Sequence, residues 1–152
     1  METKTILGID PGLENTGWGV VDGDKLVACG MIEIKGKNRL KDIYDGVTAL
    51  IKKYEIKEMA VESMFFAKNA KSAMKVSEAI GVIKICGLNN GVEVREYTPL
   101  QVKMALTGYG RAEKEQVETM VRSCLGLEEP ITPSHAADAV AVALTDGFTR
   151  KI

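Results

Sequence analysis

The chain has one histidine, three cysteines and only 5% aromatic residues among its 152 positions. Each scarcity excludes something. One histidine rules out a multi-histidine metal site, and Cys29, Cys86 and Cys124 are scattered without CxxC spacing, which suits neither a zinc site nor a disulfide framework. Reduced thiols packed as small apolar groups, in a cytoplasmic setting, fit that pattern. No apolar run approaches the roughly 20 residues of a membrane span, and the opening "METKTILGID" lacks the basic start and apolar core of a secretory signal. Charge of either sign is not in excess: 20 Lys and Arg face 21 Asp and Glu. Net charge therefore gives no argument for a nucleic-acid partner, which must rest on local basic clusters. Walker loops and nucleophile elbows are also missing, so neither P-loop nor serine-hydrolase chemistry has a starting point.

What is present is a 45% hydrophobic chain of a length that supports one core, which predicts a single domain over 1–152. Residues 4 to 34 alternate apolar runs with glycine and Asp-Gly turns ("KTILGID", "TGWGVVD", "KLVACGMIEI") and predict three antiparallel strands, with a tight hairpin at "VDGDK". From Asn38 to Tyr54 the apolar positions follow helical spacing. "EMAVES" is a short buried strand, a second helix runs from about Asn69 to Leu88, and "VEVREY" is a fifth strand. Thr98-Pro99 opens a short helix that Gly108 ends, another helix spans 112 to about 125, and Thr132-Pro133 repeats the capping signal before "SHAADAVAVALTDGF". The pattern predicts an α/β fold, a five-stranded mixed sheet with helices packed on its faces. A right-handed crossover that sets strand four parallel to strand one brings their C-terminal ends together.

That topology places Asp10, at the end of the first strand, beside Glu62, at the end of the fourth, on the edge where open α/β sheets bind ligands. On the last helix His135 and Asp138 are three apart, so both leave one face about 5 to 6 Å apart at Cβ. Their neighbours are Ala and Val, and two ionisable groups there are costly unless they pair, bind metal or reach a solvated cleft. Taken singly, Asp10 suits a turn, Glu62 a solvated surface and His135 a satisfied structural role. Together the four form an oxygen-rich, single-imidazole cluster suited to Mg²⁺ or Mn²⁺, and two such ions can clamp the attacking and leaving oxygens of a phosphodiester.

Four segments, "GIDPGLENTGWGVV", "AVESMFFAKNAKSA", "YTPLQVKMALTGYGRAEKEQV" and "SHAADAVAVAL", occur in an order and spacing that resembles the RuvC-type Holliday-junction resolvases over nearly the whole chain. The resemblance implies a ribonuclease-H-like fold, a homodimer, and symmetric, metal-dependent nicking of a four-way DNA junction in recombination and repair. It implies that Asp10, Glu62 and Asp138 hold two metal ions, that His135 stands where members carry either Asp or His, and that Lys103 and Lys114 lie near the scissile phosphate. His135 is left either as a ligand or as a proton acceptor. Phe65 matches the family's base-contacting aromatic, leaving Phe66 to the core, while Lys68, Lys71 and Lys75 are placed to reach phosphates. The small residues Ala73, Ser77, Ala79 and Gly81 belong by resemblance to a helix partly in the dimer interface. A branch-migration helicase complex, thymine-containing cutting steps and a bacterial, nucleoid-associated location are further implications of the likeness. Two other readings stay open: an actin-like or sugar-kinase-like phosphate-binding ATPase, against which the short chain and missing Asp-x-Gly-Gly segment count, and a non-catalytic junction-binding module, against which the competent acids count.

Overall fold

A computed structural model describes residues 5–63 and 70–150. Strands β1 (Thr5–Pro11), β2 (Thr16–Asp22) and β3 (Lys25–Met31) form an antiparallel meander, with Gly23 at φ 62° in the hairpin between the last two. Helix α1 (Arg39–Lys53) starts at Asn38, whose side chain accepts from the Lys41 amide, and leads into β4 (Glu58–Glu62). Helix α2 (Ala70–Asn89) and β5 (Glu93–Tyr97) follow, then α3 (Pro99–Thr107), α4 (Lys114–Leu125) and α5 (Ser134–Thr149). The sheet order is β3-β2-β1-β4-β5, with β4 parallel to both β1 and β5.

Alternation along the strands sends successive side chains to opposite faces and so builds two cores. Leu7, Ile9, Val20, Met59 and Val61 meet α1 and α2 through Ile43, Val47, Ile51, Ala79 and Ile83. Ile6, Val21, Ala60 and Tyr97 meet α3, α4 and α5 through Val102, Leu106, Val121, Val140 and Leu144. Helices therefore cover both faces of a mixed sheet.

Helix α5 lies unusually low on its face, and the sequence shows why. A Cβ on Gly8 would run into the Ala139 carbonyl, one on Gly19 into Val140, and one on Gly17 into the backbone of His135 and Ala136. These glycines leave room for helix backbone to rest on strand backbone. The far end of α5 is tied down by polar groups: Asp146, fully buried, accepts from the Tyr97 hydroxyl at 2.6 Å and Arg95 Nε at 2.9 Å, while Arg150 pairs with Glu58.

Three boundaries differ from expectation. The third strand stops at Met31, before the "EI" that the apolar run suggested. Helix α4 begins at Lys114, not at 112, because Ala112 is buried in the preceding turn and Glu113 forms a capping box with Gln116. Thr132 does not cap α5: Pro133, extended at ψ 173°, occupies that position without a side-chain bond.

Candidate metal centre and nucleic-acid cleft

Asp10 and Glu62 meet as the strand register requires. Ile9 pairs with Val61 in the parallel ladder, so the next residue of each strand ends up side by side, both on the α5 face. Asp10 is 5% exposed, and it is reached from above by α5, whose His135 Nδ1 lies 2.9 Å from Asp10 Oδ2. Asp10, His135 and Asp138 each offer one ligand atom, and these atoms lie within 4.8 Å of one another. Glu62 is not in that group of three; it joins by hydrogen bonding with Asp10. The expected cluster of four thus divides into a triad and an adjoining carboxyl pair that share Asp10.

Electrostatics at the site strain against three acids so close together. Burial first, then the Asp10 charge and hydrogen bond and the Asp138 charge, push the Glu62 carboxyl up to about 9, with Lys114 opposing. Asp138 is also raised, by burial and by Asp10, against the pull of Lys114 and His135. A protonated Glu62 donating to Asp10 is the arrangement that like charges adopt when no cation separates them. Hard oxygens, one imidazole, convergent geometry and suppressed ionisation fit a divalent cation of the Mg²⁺ or Mn²⁺ class.

Cations frame the same space. Lys114 Nζ lies 3.7 Å from Asp138 Oδ2, and an open cleft of about 220 Å³ is lined by Glu62, Asp138, Lys103 and Lys114 together with Val102, Val117 and Ala141. Lys114 is the first residue of α4, and Lys103 sits in the middle of α3. Asp138 is half-exposed toward this cleft, which relieves the cost of an acid among alanines. Lys71 and Lys75 are exposed on the first turns of α2. Phe65, Phe66 and Lys68 lie outside the described residues.

Two features were not visible in the spacing. Arg39 Nη2 donates to the Gly12 carbonyl at 3.0 Å, bracing the turn after Asp10, and the Cβ position of Gly12 is 3.3 Å from the His135 ring. The Asp146 cluster fixes the opposite end of the helix that carries His135 and Asp138. Each joins residues far apart in the chain, and a lone Arg or Asp carries no spacing signal for such a partner.

Residues 6–146 match the family model described as crossover junction endodeoxyribonuclease RuvC. The chain is 46% identical to the protein of that name from Natranaerobius thermophilus over 91% of each chain, and 45% identical to that from Rubrobacter xylanophilus over 98% of this chain and 88% of the other. Among solved structures it is similar to Thermus thermophilus RuvC in complex with Holliday junction substrate, with TM-score 0.88, 37% identity and coverage of 96% and 94%. The yeast mitochondrial Holliday junction resolvase, 11% identical with TM-score 0.63 over 97% and 80%, shares the fold. With a ribonuclease-H-like sheet, acids meeting at its β1–β4 edge and likeness at this level over nearly the full length, the chain belongs to the RuvC family of crossover junction endodeoxyribonucleases.

Proposed function

We propose that the protein resolves four-way DNA junctions by divalent-metal-dependent hydrolysis of phosphodiesters, cutting symmetrically as a homodimer in recombination and repair. The observation that carries this reading is the convergence of Asp10, His135 and Asp138, with Glu62 adjoining, beside a cleft framed by lysines. Two Mg²⁺ ions, or Mn²⁺, held by Asp10 with Glu62 on one side and by Asp10, His135 and Asp138 on the other, would neutralise phosphate charge and acidify the attacking water. Asp10, central and buried, is the residue common to both seats. His135, engaged with Asp10 through Nδ1, has Nε2 alone left, which serves either as the ligand to that second ion or, where the two acids hold the ion without it, as the acceptor of the attacking water's proton. Lys114 and Lys103 hold the non-bridging phosphate oxygens beside the apolar walls of Val102, Val117 and Ala141.

DNA outside the cleft is held by Lys71, Lys75 and Lys68, with Phe65 against the bases. For the homodimer, support comes from α2, where Met74, Ser77, Gly81, Ile85 and Leu88 are exposed at three- and four-residue spacing and a Cβ on Gly81 would meet nothing within 4 Å among the described residues. Two cleavage sites related by a two-fold axis match the symmetry of a junction. A branch-migration motor as further partner, a nucleoid-associated location and a single domain over 1–152 complete the reading.

The test is a nicking assay on a synthetic four-way junction with and without Mg²⁺. Paired incisions that need the ion and spare linear duplex are expected. Asp10→Asn, Glu62→Gln and Asp138→Asn should each lower cutting by more than about 10²-fold while junction binding persists. Ion-independent cutting, or variants that cut normally, would remove the assignment.

A further inference from the structure

We propose that Leu100, Met104 and Tyr109 form a base-contacting patch on the rim of the cleft, receiving the faces of unstacked nucleotides next to the cut strand. This rests on the junction-cutting reading above. The three side chains are 59%, 50% and 55% exposed, within ten residues of one another. They belong to one surface: the Cβ position of Gly110 is 2.7 Å from Leu100 Cδ1 and 3.5 Å from Met104 Sδ, so the loop carrying Tyr109 rests on the other two. Single exposed apolar residues need no explanation, but a contiguous apolar patch beside a catalytic cleft does.

The patch is rigid. Thr98 and Gln101 close a capping box at the start of α3, and Gly108, at φ 75°, ends the helix. Thr107 Oγ1 accepts the Tyr109 amide at 3.1 Å, and the Tyr109 carbonyl accepts from the amide of buried Ala112 at 3.1 Å. The loop therefore presents the ring outward at little ordering cost on binding.

Charge identifies the occupant. Residues 98–112 contain Lys103 and Arg111 and no acid, in a chain with 21 acids. Lys103 and Pro99 line the cleft itself, and Met104 and Leu100 follow them on α3, about 100° round the helix from the side where a phosphate would be held. An apolar and aromatic surface bordered by cations is the arrangement that stacks bases while their phosphates are neutralised. Four-way junctions offer such bases at the strand exchange point, where pairing and stacking are most easily opened.

The experiment places 5-iodouracil at successive positions around the cut site of a synthetic junction, bound to protein carrying Asp10→Asn to prevent cutting. Irradiation should cross-link Tyr109, identified by mass spectrometry. In otherwise wild-type protein, Tyr109→Ala should weaken junction affinity about tenfold, as loss of one base–aromatic contact does, and Tyr109→Phe should restore it. Melting temperature should stay unchanged, because the ring is exposed. Normal binding by Tyr109→Ala with no cross-link would overturn the patch and leave the nuclease reading standing. A shift in sedimentation from dimer to monomer with junction contacts unchanged would also overturn it, by making the surface a contact between copies. If the parent protein fails to bind the junction at all, the functional reading itself has failed.

Discussion

Gly17→Ala isolates the role of helix placement from the chemistry of the acids. A Cβ at Gly17 would lie 2.8 Å from the Ala136 amide nitrogen and nearer still to the His135 carbonyl, both rigid backbone. Restoring ordinary contact, near 3.5 to 4 Å, from a His135 carbonyl oxygen 2.1 Å away requires α5 to retreat from β2 by about 1.5 Å. The retreat occurs at His135, the residue whose ring meets Asp10, and three positions before Asp138. Overpacking of this kind costs about 1 to 3 kcal/mol, or about 3 to 10 °C in melting temperature for a chain of this size. The effect on rate should be larger: a displacement of about 1 Å in catalytic groups lowers turnover by about 10²-fold. Single-turnover cutting at a temperature where the variant remains folded measures that loss, and junction affinity should change little. Gly36→Ala, where a Cβ meets nothing within 4 Å among the described residues, provides the control. A stable Gly17→Ala protein cutting at the parent rate would refute the claim that the glycine stripe sets the site.

Further predictions follow from the charges. Glu62 is raised from 4.5 to about 9, so between those values the folded state keeps a proton that the unfolded state has lost; the stability of ion-free protein should fall as pH rises across that window, and Glu62→Gln should flatten the slope in thermal melts. Mg²⁺ competes with that proton, so its stabilising effect should grow with pH over the same range. Asp146→Ala removes the fully buried carboxylate that Arg95 and the Tyr97 hydroxyl share, leaving the two arginines to Glu58 and Glu93, and should destabilise the fold by about 1 to 3 kcal/mol in urea titration. Junction affinity should drop steeply with added salt, and Lys71→Ala should reduce the slope of log affinity against log salt by nearly one, whereas an unchanged slope would take that lysine off the DNA.

Much of the site was legible because it depends on periodicity. Asp10 and Glu62 end strands whose order a single right-handed crossover fixes, and His135 and Asp138 share a helix face by their spacing. The lysines and Phe65 depended on resemblance, since a lysine on an amphipathic helix looks the same whether or not it meets phosphate. The glycines of β1 and β2 were legible as turn and strand punctuation but not as the bed of α5, because the helix that needs the space lies over a hundred residues later. Arg39 and the Asp146 cluster escaped for the same reason: their partners are set by three-dimensional packing. Boundaries shifted where a local signal met a tertiary demand, as when burial of Ala112 delayed α4 to Lys114.

The central claim is that Asp10, Glu62, His135 and Asp138 together seat divalent cations. Anomalous diffraction from crystals soaked in Mn²⁺ tests it most directly: the account predicts density bonded to Asp10 and shared with Glu62 or with His135 and Asp138, lost in Asp10→Asn. Density elsewhere on the chain with these side chains unliganded at saturating ion would contradict it.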